Sequence, residues 1–422
     1  MRDRMGVAGL MPLLRRFAPG SIRAPTEESL RGAVLAVDGN IFIHQFLKGD
    51  SDGGADATRH VRGMYRLARR AQALGATPLF VFDGAEPAEA KGAELERRRA
   101  DRARTLLELD HERARARRIA VLARVEARLR ADMDVDADDV ERVQQQQQQA
   151  RAAAEQPPPP PSGRSTHSGR MDALEASVGR QLLAELGASD GHHADGDCTR
   201  QSLHELQASN AARITALARR TEPLTAEMVA ECARLVGAMG LPVHVAAAGE
   251  ESEGVCAELC RAGAADAVCS EDLDVVAFGA RLVRGFGPLA ACASMAVVDP
   301  QRARADLGLS RAAFVDLCIL CGTDFSATLE KVGPVTALRL VRAHGSIERI
   351  LRLAKYRPRP GFAPDAARAV FLGARHAPPV AARRDVPRLA RPPDPAAVAA
   401  LLGSSPPAAA ARDPFAANQV LL

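Results

Sequence analysis

Residues 33–38 read AVLAVD and residues 78–84 read PLFVFDG. Each is a short apolar run closed by an aspartate, Asp38 in the first and Asp83 in the second. Short apolar runs bounded by polar residues predict strands. Between them, residues 60–75 (HVRGMYRLARRAQALG) carry a helical pattern that stops at Gly75. A strand, a helix and a strand in that order join parallel strands, because a parallel pair needs a crossover of this length. The pair therefore predicts an α/β fold with a mostly parallel central sheet flanked by helices.

The same signals recur later. Residues 225–240 (TAEMVAECARLVGAMG) place apolar side chains at 228, 229, 232, 235, 236 and 239, one helical face, with Thr225 as N-cap and Gly240 as the stop. Strand-like runs follow at 241–246 (LPVHVA), 264–269 (AADAVC), 281–286 (RLVRGF) and 295–299 (MAVVD). Between the first two, GEESEGVCAELCRAG begins acidic and becomes helical.

Composition bounds the rest. A chain of 422 residues with 47% hydrophobic content is globular for most of its length and long enough for two or three domains. It has no apolar run of membrane-spanning length, so no membrane partner is expected. The net charge of +4 is small, but residues 91–130 hold thirteen Lys or Arg against seven Asp or Glu. Local basicity of this kind predicts an anionic partner. Eight cysteines in no regular framework fit a reduced intracellular compartment. Cys318 and Cys321 (CILC) lie in an apolar helical run and read as core. The Arg-interrupted start has the character of a presequence, but the fold finds a better use for it. From 131 to 205 composition collapses: Gln144–Gln149 and Pro157–Pro161 predict a mostly disordered insertion, dispensable for chemistry, with one candidate helix at 171–186. Its His192, His193, Asp195, Asp197 and Cys198 reflect loop composition rather than a metal site. After Ala363 a Pro/Ala/Arg-rich loose tail is expected.

The stretch from Cys269 to Gly285 (CSEDLDVVAFGARLVRG) closes a strand with Glu271, Asp272 and Asp274. One such cluster is as well explained by a solvated loop. Here acids recur at element ends: Asp38, Asp83, Glu251 with Glu253, Asp272 with Asp274, and Asp324 in CGTDF. Side chains at the carboxyl ends of parallel strands converge on one crevice, and seven carboxylates there repel one another unless counter-charge is supplied. Hard divalent cations supply it, and Mg²⁺ bridges carboxylates to phosphate. The E-x-E and D-x-D spacings suit two ions that activate water and stabilise a leaving oxygen in phosphodiester hydrolysis.

Taken in order, MGVAGLMPLL, VDGNIFIHQFL, VFDG, GEESEGVCAEL, SEDLDVVAFG, FVDLCILCGTDF and VGPVTALRLVRAHGSIERIL resemble the flap endonuclease branch of the XPG-type structure-specific 5′ nucleases, over about residues 5–130 and 210–355. The resemblance implies an N-terminal nuclease region (5–108), a helical arch continuing into the insertion (109–209), an internal nuclease region (210–310), a helix–two-turn–helix module (311–362) and the tail (363–422). It implies that Asp38, Asp83, Glu251, Glu253, Asp272, Asp274 and Asp324 hold two Mg²⁺ ions, with Mn²⁺ as a substitute. Lys91 and Arg98 match the basic pair that contacts the scissile phosphate, and the other arch arginines, Arg115 and Arg117 among them, would add diffuse phosphate attraction. Gly333 matches the duplex-gripping turn, and His44 stands where the family carries an aromatic that stacks on a base.

Some positions depart from the family pattern. Lys331 replaces the hairpin's first glycine, and Val335 and Thr336 replace basic residues, which shifts duplex contact toward Arg339 and Arg342. Four residues precede Met5, whereas family members begin at the equivalent of Gly6. No sliding-clamp motif stands near AANQVLL, so clamp binding is not expected. The resemblance implies an intracellular, monomeric enzyme, in the nucleus or at sites of DNA replication, acting on branched or flapped DNA. A 5′ exonuclease, an RNA-cleaving relative and a non-catalytic junction binder share the same frame.

Overall fold

A computed structural model describes residues 6–49, 58–84, 92–131, 134–155, 166–187, 196–287, 294–373, 386 and 390–403. The chain forms two compact units, one from residues 1–98 with 223–422 and one from residues 99–222.

The first unit is built on a seven-stranded sheet: β1 (Ile22–Arg23), β2 (Val34–Asp38), β3 (Thr77–Phe82), β4 (Val243–Val245), β5 (Ala267–Cys269), β6 (Leu282–Arg284) and β7 (Ala296–Val298). The spatial order is β1-β7-β6-β5-β2-β3-β4. The five strands from β6 to β4 are parallel, and β7 and β1 continue the β6 edge antiparallel. Every strand expected from the sequence is present, and the two-residue β1 is the addition.

Strand periodicity sorts the core into two layers. Val34 and Ala36 of β2 and Leu79 and Val81 of β3 face one apolar layer, with helices Leu10–Phe17, Ser252–Arg261, Arg311–Cys321 and Pro334–His344. Leu35, Val37, Phe80 and Phe82 face the other, with helices Gly39–Lys48, Arg59–Ala73 and Ala226–Ala238. Both faces of the central strands are covered, as a parallel sheet requires. Cys318 and Cys321 are buried in the first layer, as expected.

The Pro/Ala-rich end is not a loose tail over its described residues. Helix Pro364–Leu372 buries Phe371, whose ring stands 4.9 Å from Phe278 and 5.3 Å from Phe325. Arg368 meets the buried Asp316 at 2.7 and 2.9 Å and Glu348 at 2.5 Å. Residues 390–403 lie along helix Ala226–Ala238, with Asp394 N–H donating to Ala238 O at 2.7 Å and Arg391 N–H to Gly240 O at 3.0 Å. Phe371, Val398 and Leu401 are too few among Ala and Pro to announce these contacts in sequence.

The second unit also departs from expectation. The insertion carries helices Ala137–Glu155, Thr166–Gly187 and Gly196–Thr221, which join the later part of helix Gly92–Arg130. The glutamine run lies inside the first of these; His192, His193 and Asp195 lie outside the described residues. The helix expected over 171–186 is the second of these, and the other two offer few apolar side chains, which hid them in the sequence. Pooled, Ile119, Leu122, Val125, Val143, Met171, Val178, Leu182, Leu203 and Leu206 close a core of their own. Removing 140–205 would strip Ile119, Leu122 and Val125 of that cover, so the insertion is not a neutral spacer.

Acids of the later helices neutralise the basic one. Arg115, fully buried, meets Glu112 and Asp172, and its Nε lies 3.4 Å from Glu175. Arg118 grips Glu175 at 2.5 and 2.9 Å, and Arg124 grips Asp139 at 3.1 and 3.0 Å. Asn210 adds a bond to Glu112 at 2.8 Å. Arg115 is therefore a structural residue and contributes nothing to diffuse phosphate attraction, whereas Arg117 is exposed. Removing one partner of a buried charge network typically costs about 3–5 kcal/mol. Arg115→Leu should therefore destabilise residues 99–222 by that order and Arg117→Leu by less than about 0.5 kcal/mol, read as hydrogen-exchange protection of these helices. Equal protection in the two variants would contradict the network.

Candidate metal centre

The acids gather where the strands end. Asp38 is the last residue of β2 and also the N-cap of helix Gly39–Lys48, its Oδ1 accepting from Ile41 N–H at 3.3 Å. Asp83 directly follows β3. The next residue must be glycine: a Cβ on Gly84 would lie 2.0 Å from the carbonyl oxygen of Ala247, so only glycine lets β3 exit against the loop that carries Glu251. Glu251 and Glu253 open helix Ser252–Arg261, where the helix N-terminus favours anions. Asp272 and Asp274 follow β5 in a tight turn, with Asp274 N–H donating to Asp272 Oδ1 at 2.8 Å.

Neutral side chains stitch these acids together. Ser252, the residue between the two glutamates, donates its hydroxyl to Asp38 Oδ1 at 2.7 Å and its N–H to Asp83 Oδ1 at 2.8 Å. Asn40 donates to Asp83 Oδ2 at 2.5 Å and accepts from Asp83 N–H at 3.1 Å. The Ser270 hydroxyl donates to Asp38 Oδ2 at 2.9 Å and accepts from Asp272 N–H at 3.1 Å. A continuous path thus runs from Asp83 through Ser252, Asp38 and Ser270 to Asp272 and Asp274. Sequence reasoning missed Ser252, Ser270 and Asn40, although each stands beside an acid that it found.

Of the three acids after β5, Glu271 leaves the group. It accepts from Gly285 N–H at 2.6 Å and lies 3.5 Å from Arg284, tying the end of β6 to the turn. Asp272 and Asp274 are buried, Asp274 completely. Gly6, with φ +70°, lies flat on this turn; a Cβ there would stand 2.0 Å from Asp272 Oδ1. Ala8 N–H then donates to Gly322 O at 2.9 Å, beside the turn that carries Asp324. The opening MGVAGL run is therefore part of the site wall. Asp324 itself faces Arg98 at 3.0 Å and Arg97 at 3.8 Å.

Burial, then the charges of Glu253 and Asp83, push the Asp38 carboxyl from 3.8 up to about 7, against the two serine hydrogen bonds that favour the anion. His44 is pushed down to about 4 by burial and then by Lys48 and Arg98, so its ring is neutral at physiological pH. Its Nδ1 is buried without a hydrogen-bond partner.

Lys91 lies outside the described residues. In the helix–two-turn–helix segment, Gly333 caps helix Pro334–His344 and is exposed, as is Arg339. Arg342 spends its Nε on Leu307 O at 3.0 Å. Lys331 adopts φ +58°, the left-handed conformation that glycine would occupy without strain. A lysine therefore occupies a backbone conformation that favours glycine.

The sequence matches the XPG N-terminal domain over residues 5–105 and the XPG I-region over residues 240–324. The chain therefore carries both the N-terminal domain and the I-region of XPG-type nucleases. Flap endonuclease 1 of Ostreococcus lucimarinus is 28% identical over 357 residues, 82% of this chain and 67% of that protein. Flap endonuclease 1-B of Physcomitrium patens is 28% identical over 357 residues, 82% of this chain and 75% of that protein. The flap endonuclease-1 structure from Methanococcus jannaschii shares the fold, with a TM-score of 0.51 at 18% identity, covering 92% of this chain and 91% of that one.

These domains make the chain a metal-dependent hydrolase of phosphodiester bonds, and its donor set fits that class. Among the described residues no three His, Cys, Asp or Glu side chains enclose a cation by themselves. The acids instead form an open, all-oxygen row. That suits Mg²⁺, which takes one or two carboxylates and completes its shell with water and phosphate oxygens.

The raised Asp38 pKa gives a sign that can be checked. Because its folded value exceeds its unfolded one, Asp38 favours the fold below pH ~4, and that contribution is lost as pH rises through about 7. In chelator, Asp38→Asn should therefore raise the melting temperature more at pH 7.5 than at pH 5.5. Scanning calorimetry at the two pH values tests this; an equal effect at both would contradict the burial argument.

Proposed function

We propose that this nuclease cuts DNA at 5′-flap junctions, with two Mg²⁺ ions held directly or through water by Asp38, Asp83, Glu251, Glu253, Asp272, Asp274 and Asp324. The reading rests on one observation: a hydrogen-bonded row of carboxylates, largely buried, at the carboxyl ends of β2, β3 and β5. Bound there, the cations would supply charge neutralisation at the phosphate and activation of the attacking water.

The protein's own residues supply placement. Ser252, Ser270 and Asn40 fix the carboxylate rotamers. Arg98 presents a planar fork to the scissile phosphate and Lys91 a point charge. His44 offers a neutral ring to a base. Gly333, Arg339 and the remaining donors of Arg342 would meet the phosphates of downstream duplex. The curated relatives that bear the name flap endonuclease favour a flapped substrate over a plain duplex end. Work in DNA replication or repair inside the cell follows from that substrate, and the chain is proposed to act as a monomer.

The test sets labelled 5′-flap, nicked, blunt and RNA substrates side by side in Mg²⁺. Flap cleavage should dominate, and Asp274→Asn should lower its single-turnover rate about a thousandfold or more, on the order of 4 kcal/mol, with DNA affinity in Ca²⁺ nearly unchanged. Preference for blunt ends or RNA would replace the flap reading. Near-wild-type turnover by Asp274→Asn would remove that residue from the site, and no cleavage of any substrate would leave a junction binder.

A further inference from the structure

Asp324 stands on the turn after helix Arg311–Cys321, and its two oxygens face two different guanidinium groups. Arg98 Nη2 donates to Oδ2 at 3.0 Å, and Arg97 Nη2 lies 3.8 Å from Oδ1. The Asp324 side chain is 14% exposed, while those of Arg97 and Arg98 are 67% and 56% exposed. The carboxylate is thus fixed in the site wall and the two arginines are its movable partners. Consecutive helical residues project about 100° apart, so a carboxylate reached by both sits over the helix between them. Rotation of one arginine side chain does not release it. Arg98 has a place in the reading above; Arg97 has had none.

We propose that Arg97, with Arg98, clasps Asp324 and competes with the divalent cation for it. The inference rests on reading Asp324 as a metal ligand. A carboxylate oxygen engaged by a guanidinium offers less electron density to a cation, and two positive groups beside it repel a third. Phosphate is a strong guanidinium partner, often bidentate. An arriving substrate phosphate therefore draws the arginines off Asp324 and opens its oxygens to the cation. DNA binding and cation binding then strengthen one another by the same factor. Arg97 is on this account a positioning residue that times the availability of Asp324. Arg99, the next arginine along the helix, makes no ion pair among the described residues and serves as the control.

The experiment titrates the full chain with Mn²⁺ alone, without DNA, and follows the unbound ion by electron paramagnetic resonance. Wild type, R97Q, R99Q, D324N and R97Q/D324N are compared, with circular dichroism confirming that each is folded. R97Q should tighten Mn²⁺ binding about threefold, the scale of a partly exposed ion pair, and R99Q should leave it unchanged. D324N should weaken binding, and R97Q should add nothing in the D324N background. If D324N weakens binding but R97Q matches wild type, the clasp is wrong and the ligand reading stands. If R97Q and R99Q tighten binding equally, or R97Q still does so without Asp324, a general field replaces the clasp. If D324N binds as wild type does, the ligand reading of Asp324 fails and the clasp fails with it.

Discussion

Burying an aspartate at the end of a parallel strand, within range of two other acids, is the constraint around which the first unit is organised. Among the described residues Asp38 has no cationic side chain as a hydrogen-bond partner; it has two serine hydroxyls and one backbone N–H. Its neighbours Glu253 and Asp83 work against its charge. The fold answers with dipoles. Asp38 caps one helix, Glu251 and Glu253 open a second, and Asp274 opens a third. Each of these helix starts presents positive N–H ends to the acids. The arrangement lowers the cost of the cluster without cancelling it, which is the state in which a divalent cation gains most by binding.

The same constraint explains where side chains are small or absent. Gly84 lets β3 leave its strand against the Ala247 carbonyl, and Gly6 lets its own backbone lie on the Asp272–Asp274 turn. Farther out, Phe371 packs on Phe278 and Phe325, and Phe325 is the neighbour of Asp324. A helix from the Pro/Ala-rich end therefore backs the last of the acids.

The strands and the acids that end β2, β3 and β5 were legible in sequence because each signal is local: a short apolar run, a terminal carboxylate, a characteristic spacing. The serine and asparagine bridges were not, because Ser252, Ser270 and Asn40 act on acids as many as 232 residues away, and a lone serine carries no periodicity. Of the helices of residues 99–222, Ala137–Glu155 and Gly196–Thr221 escaped for a related reason. Val143 or Leu203 alone does not mark a helix, and their value emerges only when four helices pool them. Composition misled in the same region, since Arg115 reads as a surface charge until Glu112 and Asp172 are seen around it. The Arg97 contact to Asp324 spans 227 residues and was equally invisible.

The central claim is that the row from Asp83 to Asp274 is built to be completed by cations. The most direct measurement is anomalous diffraction from crystals of the full chain soaked in Mn²⁺. The account predicts anomalous peaks within direct or one-water reach of Asp38, Asp83, Glu253, Asp272 and Asp274, with Asp38 ionised. Ordered Mn²⁺ bound elsewhere, with the row unoccupied at saturating concentration, would contradict it.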